Sequence, residues 1–482
     1  MPTRKTRSVP LVSLLSATLL IVACGLPPSS AHAAGLDLEA PRGARVARFP
    51  IAGQSGSEAC FVPKHLSFGK YNKKDEKHEQ ELCHANFDEV NGATDATGAV
   101  ALCPKTNSTS AAVVVFKVPD THPKAELETA SACLALESKS KPEPALKKDV
   151  KQLGKFKQTD DERTCTSTPS ILAYYHVSRA LGGLGLVAPS VIRTMDFAHH
   201  AKLVSLALSI PRVQSNSALK TSWSNFRKYS AGASSNPSAV FTSDNRQIYG
   251  AFVRHSSADR YDDWITNHDS DATRLEDLAA YKRLTNPAAI SSQVGSRDFK
   301  AENVQKVVAT RDVGEMILID TLMQQNDRLS GNNIDSSDEF FYREGAAVKS
   351  VGDVDGLPAG TPPMRIKRVH LSDNDCGLIE GPGAMVKGGY LARIAHMHPQ
   401  TYARLMQLAD RWEKDPEVQA FFRTETLFSE KTLASFGAGL LKARDTLKAR
   451  CKASEHFLDL DLDDYVNGTE PDRSRCDAIA PA

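Results

Sequence analysis

The stretch MILIDTLMQQNDRLSGNN, Met316–Asn333, decides how the chain is read. Its first half continues an apolar run at helical spacing that starts near Asn303 with Val304, Val307, Val308 and Val313. Its second half is polar and carries Asp327-Arg328, with Asn332 at the fifth position after the aspartate. A second segment, VHLSDNDCGL (Val369–Leu378), offers Asp373 and Asp375 after a β-prone run. Between them EFFYREG and MRIKRVHL read as two strands, a hairpin that would return Asp375 to the side of Asp327. Phosphoryl transfer to a hydroxyl needs a carboxylate to orient and deprotonate the acceptor, and oxygen ligands to hold Mg²⁺ on the nucleotide phosphates. Asp320 sits inside the apolar face, where a carboxylate is costly unless hydrogen-bonded, so it is expected to organise the adjacent loop. Taken alone, DRLSGNN also reads as a helix end running into a polar turn, because Gly and Asn favour such ends.

The rest of the composition is that of an ordinary globular chain. Its 482 residues are 41% hydrophobic and 24% charged, long enough for a two-part catalytic unit or two domains. Past the first thirty residues there is no apolar run long enough for a membrane span. Residues 1–34 read as a targeting leader: Arg4, Lys5 and Arg7 precede the apolar stretch Leu11–Ala23. Ile21-Val22-Ala23-Cys24 resembles a bacterial lipobox, which would tether the chain to a membrane through a lipid on Cys24. Ala31-His32-Ala33 is a competing site for ordinary cleavage and release. Without the three leader cations, 56 basic residues face 58 acidic ones, which excludes a bulk nucleic-acid binder. Apart from Cys24, eight cysteines remain, five of them between Cys60 and Cys165. An even number in an exported chain favours disulfides, and the lack of any CxxC pair argues against zinc.

Read in order, residues 35–85 form an irregular start, with Tyr71–Glu81 a solvated face or loop. From Asn86 the pattern is strand, Gly-containing turn, strand, polar turn, strand. Gly92 and Gly98 bracket the first turn, and Lys117 closes the β-branched run that starts at Val113. Such a loop can bring backbone N–H groups to phosphates and such a lysine can contact them, but the residues alone read more simply as a plain hairpin with an edge lysine. Lys139–Arg163 reads as a polar connector, SILAYYHVSRALGG as a short amphipathic helix leading to a strand at Val191-Ile192, and 212–246 as a long Ser/Asn-rich surface loop. QIYGAFVRHSS, from Gln247, is a strand. His199, His200 and His255 lack metal spacing, and the H-x-H of His396 and His398 reads as a helix surface rather than a metal site. The tail beyond Gly388 is helical, ending in an acidic, exposed LDLDLDDYVNGTEPD.

With these segments in place, DTLMQQNDRLSGNN resembles the catalytic loop of the phosphatidylinositol 3-/4-kinase-like superfamily, especially the type II phosphatidylinositol 4-kinases, and more distantly the secreted Fam20-type kinases. The shared features are Asp320 seven residues before Asp327, the Asp327-Arg328 pair, and Asn332. SDNDCGL is similar to the family's Asp-containing metal motif, and the Gly98–Lys117 hairpin and the helix at AYYHVSRALGG to the segments that precede it. The resemblance covers about Gly92 to Leu378. It implies an α+β, two-lobed protein-kinase-like fold: a β-rich, disulfide-containing N-lobe over 86–255 with insertions, and a helical C-lobe over 256–482 carrying the catalytic and metal loops. It implies ATP with Mg²⁺ or Mn²⁺, Asp327 with Arg328 at the catalytic position, and Asn332 and Asp375 as metal ligands, with Asp373 competing for that role. It implies Lys117, under the Gly92–Gly98 loop, at the nucleotide phosphates. The acceptor would be a hydroxyl on a protein, glycan or lipid; the lipid substrate of the cytosolic enzymes is not carried to an exported chain.

The sequence departs from the family in two places. The AYYHVSRALG helix has no acidic residue to pair with Lys117, leaving Glu126, Glu128 and Glu162 as candidates, and Cys376 stands inside the metal motif, where a disulfide would stiffen the loop. A pseudokinase, an adenylyl transferase and a non-catalytic, disulfide-stabilised envelope lipoprotein remain the alternatives.

Overall fold

Short β-branched and aromatic runs become strands through the first half of the chain. The computed structural model describes residues 35–477, except 52, 54–55, 89–97, 139–143, 161–164, 232–236, 257, 262–274, 330–332 and 380. The expected leader, Gly92, Glu162 and Asn332 lie outside the described residues. Strands β1 (Arg45–Pro50), β2 (Ser57–Val62), β3 (Val100–Pro104), β4 (Val113–Lys117), β5 (Gln152–Lys157), β6 (Ser190–Asp196) and β7 (Gln247–Arg254) form one sheet in the order β1-β2-β6-β7-β5-β4-β3. Every neighbouring pair in it is antiparallel. A second sheet joins β8 (Asp259–Arg260), β9 (Ile334–Glu344), β10 (Ala347–Val351) and β11 (Met364–Leu371), with β9 paired to all three others.

Eight helices of ten residues or more lie among the described residues. They are α1 (Lys73–His84), α2 (Thr168–Ala180), α3 (Phe197–Ser209), α4 (Ser217–Ser230), α5 (Ala301–Leu322), α6 (Pro399–Lys414), α7 (Pro416–Glu425) and α8 (Glu430–Ala453). None is long and apolar enough to cross a membrane. One apolar core involves the seven-stranded sheet, α3 and α4, with Phe156, Trp223, Phe226 and Phe252 in it. A larger one surrounds α5 and takes in α2, β11 and the C-terminal helices. The chain is a mixed α/β protein with a seven-stranded antiparallel sheet.

Four segments depart from their sequence reading. Residues 35–85 are not irregular: β1 and β2 extend the sheet, and Tyr71–Glu81 runs into α1. Asn72 accepts from the Lys74 and Asp75 amides at 2.8 and 3.0 Å while Asp75 accepts from the Asn72 amide, a reciprocal cap that starts the helix. Two acids of α1 are buried, Asp75 against Arg179 at 2.7 Å and Glu79 against the Tyr175 hydroxyl at 2.5 Å, while Glu76 stays exposed. The polar connector hides β5, in which Leu153 and Phe156 are buried among four polar or glycine residues. A Cβ at Gly154 would collide with the Val253 carbonyl, so close pairing of β5 with β7 requires glycine there. Within 212–246, Leu219, Trp223 and Phe226 recur at helical spacing and bury one face of α4, on which Ser222 is also buried and donates to Asp160 at 2.9 Å. In the tail, Leu458, Leu460 and Leu462 are buried, and Asp459 accepts from His396 at 2.7 Å; His396 is an interior ion-pair partner rather than a surface residue.

All eight cysteines outside the leader are paired: Cys60–Cys83, Cys103–Cys133, Cys165–Cys376 and Cys451–Cys476. Four disulfides are consistent with an exported, non-cytoplasmic chain.

Candidate functional site

Helix α5 is buried along most of its length and delivers Asp320, fully buried, to its last turn. The Tyr174 hydroxyl donates to Asp320 Oδ1 at 2.7 Å, and Arg328 donates to both carboxylate oxygens at 3.0 and 3.1 Å. Asp320 thereby organises the loop after α5, as its sequence position implies.

Arg328 is itself buried and spends its other donors on the Asn333 carbonyl (2.8 Å), the Ser372 carbonyl (2.6 Å) and Asn374 Oδ1 (2.7 Å). Burial works against its charge, but the Asp320 carboxylate outweighs it and holds the guanidinium firmly protonated. Arg328 therefore clasps the Asp327 loop to the loop after β11, and its guanidinium is not presented to a ligand. The two loops are also laced through backbone, Asn326 N–H to the Cys376 carbonyl (3.1 Å) and Leu378 N–H to the Met323 carbonyl (2.8 Å). Three of the six non-glycine residues with positive φ among those described, Gln324, Asp373 and Leu378, lie at this junction. Such strain persists only where surrounding contacts over-determine it, and it clusters at functional sites.

Asp327 is half-buried, positioned by its own amide on Gln325 Oε1 (3.1 Å) and by the Asn333 amide on its carbonyl (3.0 Å) and carboxylate (3.3 Å). One of its carboxylate oxygens and the sulfurs of Cys165 and Cys376 lie within 4.8 Å of one another. Those sulfurs are joined in a disulfide, so this trio is not a metal centre in the folded, oxidised chain.

The lysine that meets the acidic loop is Lys157, at the end of β5. Its ammonium contacts Asp373 and lies 2.8 Å from Asp375 Oδ2, which also accepts from the Thr166 hydroxyl at 3.2 Å. Burial opposes the Lys157 charge, but the two carboxylates outweigh it and raise its pKa; the Lys157 charge in turn holds Asp373 well below the usual carboxylate range. Lys105, after β3, is almost completely buried, and among the described residues its ammonium has no ion-pair partner. Burial, then the charges of Lys155 and Lys157, lowers its pKa to about 8, while Asp373 acts in the opposite sense.

Of the residues singled out in the sequence, Asp327, Arg328, Asp373 and Asp375 come together. Lys117 does not join them. It ends β4 with its side chain exposed, and its amide bonds the Lys151 carbonyl. Gly98 is not an open loop glycine either, since its carbonyl accepts from Asn86 at 2.9 Å and a Cβ there would collide with the His84 carbonyl. Glu128 accepts from the Leu102 amide at 2.8 Å and faces Lys124, away from any role with Lys157. Oxygen donors suited to a hard divalent cation are present in Asp373 and Asp375. Lys157 was missed because it lies in a Lys-rich stretch with no distinguishing motif, and Lys105 because it is a lone lysine opening a polar turn; the alternation Lys155-Phe156-Lys157 was the available signal.

Compared with family models, with curated proteins and with solved structures, the chain matches none.

Proposed function

We propose that the chain is an exported kinase that transfers the γ-phosphate of ATP to a hydroxyl on a protein, glycan or lipid. The observation that carries this reading is the buried contact of Lys157, on a central strand, with Asp373 and Asp375, in a loop that Arg328 clasps to the Asp327 loop. A strand lysine, a following helix, a long helix ending in an aspartate loop, and a hairpin returning two further aspartates support the two-lobed kinase-like plan. Asp327, half-buried and held from its amide side, is the base that orients and deprotonates the acceptor hydroxyl. Asp373 and Asp375, with Asn332 as the sequence resemblance implies, would hold Mg²⁺ or Mn²⁺, which would supply positive charge against the phosphates. Lys157 takes the phosphate role that the resemblance gave to Lys117, and Lys105 and Lys155 add positive charge on the same side. Arg328 positions Asp327 and Asp375 and touches neither nucleotide nor acceptor.

Intact mass tests this reading. The exported chain is incubated with ATP, Mg²⁺ or Mn²⁺ and a generic protein acceptor, beside Asp327→Ala, Asp375→Ala and Lys157→Met. A phosphoryl-sized gain that all three substitutions abolish is expected, with ATP binding retained in Asp327→Ala. An adenylyl-sized gain would replace the reaction with nucleotidyl transfer. Absence of any ATP binding by the unsubstituted chain would remove the enzyme reading altogether.

A further inference from the structure

Helix α2 follows the strand that bears Lys157, yet its residues 168–180 include neither Asp nor Glu. A carboxylate from this helix therefore cannot fix the lysine. Its acidic contacts run the other way, since Arg179 and Tyr175 of α2 are occupied by Asp75 and Glu79 of α1. What ties α2 to the site is covalent. Cys165, three residues before the helix, is bonded to Cys376, the residue after Asp375.

The segment between that bond and the first turn of α2 is stitched to the acidic loop at every step. Thr166 Oγ1 donates to Asp375 Oδ2 at 3.2 Å, and the Ser167 amide donates to the Asp375 carbonyl at 2.9 Å. Ser170 Oγ donates to the Asn374 carbonyl at 2.7 Å and accepts from the Gly377 amide at 3.1 Å. The approach is so close that a Cβ on Gly377 would stand 2.7 Å from both Ser170 Oγ and the Met323 carbonyl. The disulfide sulfurs also lie within 4.8 Å of an Asp327 carboxylate oxygen. One bond thus abuts Asp375 along the chain and Asp327 in space.

We infer that the Cys165–Cys376 disulfide is the positioning device of this site, holding Asp375 and Asp327 in register with Lys157 where a helix carboxylate is absent. The inference rests on the kinase reading and deepens it, because the site is then completed only by oxidation. Each thiol gives up one proton and one electron to an oxidant of the protein-disulfide class, whose own disulfide leaves as a dithiol. The chain is inactive while its thiols are reduced and becomes competent once it reaches an oxidising compartment.

A bond that joins residues 211 positions apart would also stabilise the fold whatever the site does, so the test must separate register from stability. The Mg²⁺ concentration that half-saturates ATP binding, read by calorimetry, is compared in three proteins. These are the unsubstituted chain, Cys165→Ser/Cys376→Ser, and Cys60→Ser/Cys83→Ser as a control far from the acidic loop in sequence. The first pair of substitutions is expected to raise the Mg²⁺ midpoint at least tenfold. The control is expected to lower the melting temperature and leave the midpoint in place. Equal losses of melting temperature with an unchanged midpoint would reduce the bond to a stability staple and overturn the inference. Should Cys165→Ser/Cys376→Ser fail to fold, Ser170→Ala keeps the bond and removes two of the stitches. A midpoint raised about threefold in it supports the inference, and an unchanged one overturns it. No ATP binding by the unsubstituted chain overturns the kinase reading and this inference together, whereas binding with an unmoved midpoint overturns this inference alone.

Discussion

Lys157 Nζ lies 2.8 Å from Asp375 Oδ2 although 218 positions separate the two residues. The contact joins the seven-stranded sheet to the loop after β11, and both side chains are largely out of solvent. Removing one partner of a buried ion pair leaves the other charge uncompensated, at a cost of about 3–5 kcal/mol. Lys157→Met is expected to lose stability on that scale in urea unfolding and to lose ATP binding. Lys157→Met/Asp375→Asn should recover part of the stability and none of the binding, since no buried charge is then left alone at that contact. A Lys157→Met protein as stable as the parent would mean that the pair is solvated in solution.

Arg328 makes five hydrogen bonds to Asp320, Asn333, Ser372 and Asn374 from a buried position. Lysine keeps the charge but has no planar fork to reach these acceptors together. Arg328→Lys is therefore expected to cost about 2–4 kcal/mol of stability. A double-mutant cycle with Asp320→Asn should return a coupling energy above roughly 1 kcal/mol. Simple additivity of the two substitutions would show that the clasp does not act as a unit.

The long-range half of this site was legible because its residues announce themselves. Asp320 is a charge on an apolar helical face, and Asp375 follows a β-branched strand, so burial and a hairpin return could be argued from local pattern alone. The lysine was not legible. Lys117 ends the most β-like run in the chain and drew the assignment, whereas β5 reads as QLGKFK inside a basic stretch, and its place in the sheet is set by pairing with β4 and β7 rather than by its own propensity. Similarly, α4 hides its aromatic stripe among serines, and α1 looks solvated because its buried acids find partners more than ninety positions away. Cysteine parity pointed to disulfides, but which cysteines meet depends on tertiary approach that no spacing encodes.

Lys105 offers a test of function against stability. Burial lowers its pKa to about 8, so at neutral pH the fold carries a cation that it holds at a cost. Lys105→Met is expected to raise the unfolding free energy by about 1–3 kcal/mol, the scale of a shift of this size in a buried group. On the proposed function it should also weaken ATP binding about tenfold, because a desolvated ammonium beside Lys157 and Asp373 is suited to a phosphate. Thermal melts with and without ATP read both effects. A variant that is destabilised and binds ATP normally would assign Lys105 to packing alone.

Between pH 5 and 8.5 the histidines govern how stability responds to pH. Burial lowers the pKa of His176, His200 and His398 from 6.5 to about 3, so each is neutral in the fold at pH 7. For a group whose folded pKa is depressed, the stability is full above the unfolded value of 6.5 and is lost as pH falls from there toward 3. Each such imidazole contributes a slope of roughly 1.4 kcal/mol per pH unit across that window. His396 has the opposite sign. Burial opposes its charge, but the hydrogen bond and charge of Asp459 outweigh burial and raise its pKa. Its contribution is therefore full below 6.5 and lost as pH rises through the raised value. Urea midpoints measured from pH 5 to 8.5 should fall steeply on the acid side and gently above 6.5. His200→Gln is expected to make the acid limb shallower and leave the upper limb alone, while His396→Gln should flatten the upper limb only. A midpoint that stays level between pH 7 and pH 5 would show that these imidazoles take up protons in the folded chain, contrary to their burial.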